Sequence, residues 1–195
     1  DWITTVTYYD KKSRPVYVYS KNAYLDTEDR VKSQLTFDGR VTETTSSKER
    51  SGTTLDFIDL YTYDHANRVL EHRNKFAHAP LYEVIASNSY DDLGQLTNKG
   101  VGGKQNATDR LQDVDYNYNV RGWLRAINDI SDLDKDLFAF GINYNTQDHG
   151  GTELYNGNIA ETEWKTANDN VLRWYRYSYD ALNRIINGTS SVSSH

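Results

Sequence analysis

Along residues 175–185, YRYSYDALNRI, positions alternate with a period of two: Tyr175, Tyr177 and Tyr179 fall on one side of an extended strand, Arg176, Ser178 and Asp180 on the other. A turn follows, and Ile185 opens a return strand. The plan recurs as YTYDHANRVL at 61–70, NSYDDLGQL at 88–96 and YNYNVRGWL at 116–124. Weaker copies are TYYDKKSRPV at 7–16 and LTFDGRV at 35–41, while INYN at 142–145 keeps only the strand. Each copy predicts a β-hairpin. Taking the aromatic before the turn as marker, Tyr9, Phe37, Tyr63, Tyr90, Tyr118 and Tyr144 follow at intervals of 28, 26, 27, 28 and 26 residues, and 35 residues then separate Tyr144 from Tyr179. A period in this range predicts stacked units, none of which buries its apolar face alone.

The turn residues carry their own signal. Asp64, Asp91, Asn119 and Asp180 stand at the first turn position, where a short side-chain oxygen accepts bonds from N–H groups two residues onward. Three residues later come Asn67, Gly94, Gly122 and Asn183, types that tolerate the left-handed conformation closing a type I turn with a bulge. FDGR at 37–40 predicts a shorter, two-residue type I′ loop, and Ser13 suits the left-handed slot of the first copy poorly. Val69, Leu96, Leu124 and Ile185 start return strands opposite the tyrosines. The tyrosines read as structural, large flat groups whose hydroxyls reach water or a backbone carbonyl. In the alternative reading they are exposed stacking platforms for sugars. Between the hairpins, residues 44–56 (TTSSKERSGTTLD) and 99–113 (KGVGGKQNATDRLQD) read as exposed loops, and DISDLDKDLFAF could supply one or two helical turns.

Composition narrows the function classes. At 195 residues one domain suffices, and 16 Tyr and 4 Trp against 5 Phe, with a mean hydropathy of −0.81, favour sheets built on amphipathic aromatics. The lack of Met suggests a processed chain or a piece of a longer one, and no apolar run approaches the roughly 18 residues of a membrane helix, so no membrane insertion is expected. A net charge of −6 and a pI near 5.3 argue against nucleic acid as a partner. Without Cys there is no disulfide framework, and neither G-x-S-x-G nor H-E-x-x-H occurs. His65, His72, His78, His149 and His195 lie scattered, with no i, i+4 pair, and His195 could belong to a tag or tail. Asp129, Asp132, Asp134 and Asp136 lack the glycine and terminal glutamate of a calcium loop and enclose Lys135, so they read as a solvated acidic loop. Two N-x-T sequons, at 106–108 and 187–189, matter only in a eukaryotic secretory chain. No catalytic residue, cofactor or metal is expected.

The recurrent Y-x-Y-D-x-x-(G/N)-R-(L/I/V) plan resembles the YD repeat of RHS-repeat proteins, from Tyr9 to Ile185; VDYNYNVRGWLRAIND and LYNGNIAETEWK resemble segments in which the interval between units is lengthened. The resemblance implies an all-β fold, a spiralling strip of consecutive antiparallel hairpins forming a segment of a hollow shell, as in bacterial polymorphic toxins, insecticidal toxin subunits and teneurins. On that basis residues 1–195 form a single YD-repeat region of about seven hairpin units, an incomplete shell, with 145–174 as a lengthened inter-repeat segment. The implied function is non-catalytic: part of a wall, secreted or at the bacterial cell surface, that encloses or carries a C-terminal toxin or other polypeptide. Implied partners are further repeats of the same polypeptide and the enclosed domain, with secretion machinery or a surface glycan as further possibilities. The D-P-x-G-type motif of the self-cleaving core is missing, since the only prolines are Pro15 and Pro80. The alternative is a cell-surface adhesion module that binds glycan or protein through exposed aromatics.

Overall fold

The computed structural model describes residues 2–191; His195 lies outside them. Among the described residues there is no α-helix. Fourteen strands follow one another in chain order in a single sheet, and each strand's neighbours in sequence are its neighbours in the sheet. The ladders that join β1 to β7 and β9 to β14 are all antiparallel. The expected all-β strip of hairpins is the fold.

The chain divides into two compact units. The first runs to Asn88 and also takes Gly100–Leu111; the second takes Ser89–Lys99 and the residues from Gln112 on. The first unit holds β1 (Ile3–Tyr9), β2 (Pro15–Asn22), β3 (Thr27–Leu35), β4 (Val41–Arg50), β5 (Thr53–Tyr63) and β6 (Val69–Phe76). β7 (Glu83–Tyr90) and β8 (Leu96–Val101) each contribute residues to both units. The second holds β9 (Gln112–Tyr118), β10 (Leu124–Ile127), β11 (Phe138–Asn143), β12 (Glu161–Thr166), β13 (Arg173–Tyr179) and β14 (Ile185–Ser190).

Neither unit owns a deep core. Among the described residues only Val84, Leu133, Ala139 and Ala160 are buried apolar side chains, and Asn128, Asn143, Glu161 and Thr162 are equally buried. Burial of carbon alone therefore does little to hold the strip; cross-strand pairs and hydrogen bonds take a larger share. In the first unit Tyr8 packs on Tyr17 with ring centroids 5.6 Å apart, Tyr61 stacks on His72 at 4.5 Å, and Phe57 meets Phe76 at 5.0 Å. In the second, Trp164 stacks on Tyr175 at 5.6 Å.

The structure corrects three sequence expectations. Residues 44–56 are not a loop but the body of β4 and β5, joined by Ser51 and Gly52, both with positive φ (49° and 78°). Thr and Ser suit a pleated surface even without apolar alternation, and ion pairs finish the hairpin: Arg30 bridges Glu28 at 2.5 Å and Glu49 at 3.1 Å. Segment 128–137 contains no helical turn; Asn128 and Asp134 adopt positive φ (55° and 42°), which breaks any helical run. FDGR is not a two-residue loop. Thr36 N–H bonds to Arg40 O and Gly39 N–H to Thr36 O, so Thr36 takes the first turn position and Leu35, paired with Val41, takes the place that tyrosine holds elsewhere. Phe37 is then a turn residue, 86% exposed, and the repeat marker there shifts back by two residues.

Candidate functional site

The regular turns form one feature. In each, the residue at the first position accepts from the N–H three residues on and donates to the carbonyl four on: Asp64 with Asn67 and Arg68, Asp91 with Gly94 and Gln95, Asn119 with Gly122 and Trp123, Asp180 with Asn183 and Arg184. The left-handed slot holds Asn67 (φ 68°), Gly94 (87°), Gly122 (78°) and Asn183 (61°). Side-chain oxygens then fill the concave side. Asp64 Oδ1 accepts from the N–H groups of Ala66 and Arg68, Asp91 Oδ1 from Gln95, Asn119 Oδ1 from Arg121 and Trp123, and Asp180 Oδ1 from Leu182 and Arg184. Sequence reasoning had placed only the shorter of these bonds. It assigned no role to the arginine that ends the motif, yet Arg14, Arg68 and Arg184 donate Nε to the second oxygen of Asp10, Asp64 and Asp180 at 2.6–2.7 Å. The carboxyls of Asp10 and Asp180 are held below the usual aspartate range by the arginine's backbone N–H first and its guanidinium second. For Asp64 burial pushes upward, and the same two bonds outweigh it.

Ser13 fills the left-handed slot of the first turn at φ 59°. A non-glycine residue there costs about 1 kcal/mol, less for asparagine than for serine. Ser13→Gly is therefore expected to raise the melting temperature by about 2–4 °C; a thermal scan showing no change, or a fall, counts against the assignment of that slot.

Four of the tyrosines bind their strand to the backbone about twenty residues before it. Tyr63 OH donates to Val41 O at 2.7 Å, Tyr118 OH to Leu96 O at 3.0 Å, Tyr144 OH to Leu124 O at 3.1 Å and Tyr179 OH to Ile159 O at 2.8 Å. The geometry explains the need. The β4–β5 ladder ends at the Glu43–Leu60 pair, and the β10–β11 ladder begins only at the Ala126–Gly141 pair, so Val41 and Leu124, each paired with the strand before, lie beyond the ladder with the strand after. A buried or half-buried carbonyl must find a donor, and the phenol supplies it. Tyr90 holds the equivalent place before the Asp91 turn.

Adjacent turns also touch through the last residue of the motif. In the first unit Arg14 Nη1 donates to Thr36 O and Phe37 O, both at 3.1 Å, while Lys12 Nζ donates to Phe37 O and sits 3.4 Å from the centre of its ring. In the second, Gln95 Nε2 donates to Gly122 O at 3.1 Å. The side chain at the end of one turn thus reaches the backbone of the next.

In the second unit the row is interrupted. After Tyr144 the chain makes no tight turn but runs as a long loop to Ala160, and the sheet recovers at the Asn143–Glu161 pair. Glu161, fully buried, holds this loop: its carboxylate accepts from the N–H groups of Asp148 (2.8 Å), His149 (3.2 Å) and Gly151 (2.6 Å). Burial pushes the Glu161 carboxyl up, and these backbone bonds, with Asn143, outweigh it and leave it below the ordinary value. Gly151 is required by contact, since a Cβ there would stand 2.7 Å from Glu161 Oε1. His149 meets Glu163 at 2.8 Å and stacks on Trp174 at 5.0 Å, and Arg176 Nη1 donates to His149 O at 3.2 Å. Residue identity alone gives Glu161, Glu163 and Trp174 no role, places Arg176 only on a strand face, and leaves His149 as one of five scattered histidines. The one signal available was Gly150-Gly151 ahead of a glutamate in an otherwise apolar-polar strand.

Of the other residues weighed for chemistry, His72 meets Asp59 at 2.8 Å and His65 lies in an exposed turn. Asp129 accepts from Ser131 N–H and Oγ, Asp132 from Asp134 N–H. Burial first, then the neighbouring Asp115, Asp134 and Asp113, pushes the Asp136 carboxyl up. Among the described residues no group of three or more His, Asp or Glu side chains is arranged to hold a metal ion.

No family model and no curated protein matches the chain. Solved structures do. The crystal structures of TcdB2-TccC3-TEV, of TcdB2-TccC3-Cdc42 and of TcdB2-TccC3 without its hypervariable C-terminal region match over 97%, 99% and 99% of this chain, with TM-scores of 0.54, 0.55 and 0.54 and identities of 12%, 12% and 14%. The fold is that of a stretch of those chains. This chain spans only 10–11% of their length.

Proposed function

We propose that this chain is a non-catalytic wall segment of an exported bacterial RHS-repeat protein, part of a hollow β-shell that encloses or carries a C-terminal toxin or other polypeptide. The observation that carries the reading is a recurrent tyrosine hydroxyl bond to a backbone carbonyl 20 or 22 residues earlier, made at Tyr63, Tyr118, Tyr144 and Tyr179. Such a bond makes hairpins addable in series, which is what a long wall requires and what a catalytic site does not. The likeness to TcdB2-TccC3 structures over nearly the whole chain supports it, as does a hypervariable C-terminal region in those proteins, the place a variable cargo would occupy. The mechanism is sequestration: a wall keeps an incompletely folded chain from solvent and from the cell that made it.

The test is protease accessibility of the native full-length polypeptide. A non-repeat segment should resist cleavage until the strip is weakened by Tyr→Phe changes at the four bonding tyrosines, and then be cut. If every non-repeat segment is cut at the rate of a free unfolded chain while the repeats stay folded, enclosure is wrong. The adhesion reading draws support from the stacked Trp164, Tyr175 and Tyr177, with Tyr175 41% exposed. It predicts that Tyr175→Ala abolishes glycan-array binding with the fold intact.

A further inference from the structure

The end strands of a sheet offer unpaired backbone to other chains, and natural proteins protect them with charged side chains, proline or a bulge. Here the charges lie elsewhere. Among the described residues β1 and β14 each have one neighbour in the sheet, and neither Ile3–Tyr9 (ITTVTYY) nor Ile185–Ser190 (IINGTS) contains a charged residue or a proline. Every strand between them except β11 carries at least one charged residue. β1 pairs evenly with β2 until an irregularity at Tyr8 and Tyr9, and its residues Ile3, Thr4, Thr5 and Val6 are exposed. On β14 the same holds for Ile185, Ile186 and Asn187. Both edges are open to a further strand.

The interior of the sheet shows which strand fits. Val41 starts β4 opposite Leu35, Leu124 starts β10 opposite Tyr118, and Ile185 starts β14 opposite Tyr179, so the three hold one place. The strand after β4 pairs Leu60 with Glu43 and brings Tyr63 OH to Val41 O; the strand after β10 pairs Gly141 with Ala126, and Tyr144 OH reaches Leu124 O. In both, the residue two past the start faces the residue three before the tyrosine. Laid beside β14 by this rule, β1 sets Val6 opposite Asn187, Thr4 opposite Thr189, and Tyr9 OH at Ile185 O. The Tyr9 hydroxyl makes no hydrogen bond among the described residues. Arg184 completes the match. Arg14 and Arg184 each donate Nε to their own turn, but Arg14 also reaches Thr36 O and Phe37 O of the following turn. Its side chain is 27% exposed, that of Arg184 73%. With β1 against β14, Asp10 O and Lys11 O take the places of Thr36 O and Phe37 O.

We propose that this chain associates head to tail, β14 of one copy pairing antiparallel with β1 of a second copy in the Asn187–Val6 register. Backbone hydrogen bonds supply the affinity, and the Tyr9 hydroxyl and Arg184 guanidinium fix the register. Two different surfaces meet in this interface, so every complex keeps one free edge of each kind and association continues beyond two copies. Pairing of β1 with a second β1 would stop at a dimer and leave Arg184 and Ile185 uncovered. The inference does not depend on the wall reading: the edges can pair whether or not the strip encloses anything.

The test is sedimentation of the intact chain from micromolar to millimolar concentration, where a mass that climbs past that of a dimer is expected. Val6→Lys places a charge on the β1 edge and Asn187→Lys one on the β14 edge, both at exposed positions. Each variant alone should stay monomeric, with the circular dichroism of the unsubstituted chain. Mixed in equal amounts they should form dimers and nothing larger, through the one unaltered edge that each retains. Should Val6→Lys fail to fold, Thr4→Lys charges the same edge. Tyr9→Phe should weaken association about fivefold, the loss of one hydrogen bond. The chain has no cysteine, so single-cysteine variants report the register. Under oxidised glutathione a Val6→Cys chain should form a disulfide with an Asn187→Cys chain faster than a Thr5→Cys chain does, because directly opposed residues bring their Cβ atoms close. The proposal is overturned if the unsubstituted chain stays monomeric throughout, or if Asn187→Lys associates as the unsubstituted chain does. It is equally overturned if the mixture of the two lysine variants remains monomeric.

Discussion

Glu161→Ala is expected to cost the protein about 4 kcal/mol, because the buried carboxylate is the acceptor for three backbone N–H groups that lose their partner with it. The loss should be local first. Amide hydrogen exchange at Asp148, His149 and Gly151 should rise to near the rate of an open loop, while exchange in the first unit stays as it was. Gly151→Ala should act in the same direction, since its methyl would occupy the space of the Glu161 carboxylate. Glu161→Gln separates charge from shape: it keeps one acceptor but turns an NH₂ toward backbone donors, and a smaller loss is expected. Acid should imitate these changes. The Glu161 carboxyl titrates below its ordinary value of 4.5 in the folded state, so its stabilisation is complete above that value and disappears as pH falls through the lower, folded one. The melting temperature of the unsubstituted chain should therefore drop more steeply below pH 4.5 than that of Glu161→Gln. Parallel acid limbs for the two proteins, or unchanged amide exchange in Glu161→Ala, would remove Glu161 from its role as the loop's anchor.

What was legible in the sequence follows from the range of the forces concerned. The turns could be read because their chemistry is contained in five residues: an oxygen at the first position and a tolerant residue at the fourth determine the backbone between them, as at Asp64 and Asn67. The strands next to them could be read from tyrosine alternation. Residues 44–56 could not, because Thr, Ser and charged residues form β4 and β5 through partners on neighbouring strands, Glu28 and Arg30 among them, and no local period marks such a pairing. Phe37 was misplaced for a related reason. An aromatic before Asp-Gly looks like the repeat marker, yet Thr36 can replace aspartate at the first position, with its hydroxyl accepting from Arg40 N–H at 3.0 Å. The second-unit cluster escaped altogether: Glu161 is recognised by backbone amides twelve or so positions earlier, and backbone amides leave no trace in residue identity.

Replacing Tyr63, Tyr118, Tyr144 and Tyr179 together by phenylalanine is expected to destabilise the chain by about 4 kcal/mol, near 1 kcal/mol for each hydroxyl that leaves a carbonyl without its donor. The four sites share no partner, so their effects should add. That loss is a large part of the roughly 10 kcal/mol that a domain of this size commands, and corresponds to a fall of about 10 °C in melting temperature. Phenylalanine keeps the ring, its packing and the strand propensity, so the change reports the hydrogen bond alone. Tyr9 supplies the control. It stands at the same place in the first hairpin, is 61% exposed, and its hydroxyl makes no hydrogen bond among the described residues, so Tyr9→Phe should leave stability unchanged. If the tyrosines act merely as hydrophobic cover, the quadruple variant and Tyr9→Phe will both unfold at the temperature of the unsubstituted chain. If they act as fasteners between hairpins, the quadruple variant will also lose cooperativity, since the bond that couples one hairpin to the next is the one removed. A sharp, single transition at the original temperature in all variants would leave the hairpins joined by their ladders alone, and the tyrosine in the motif without the purpose given to it here.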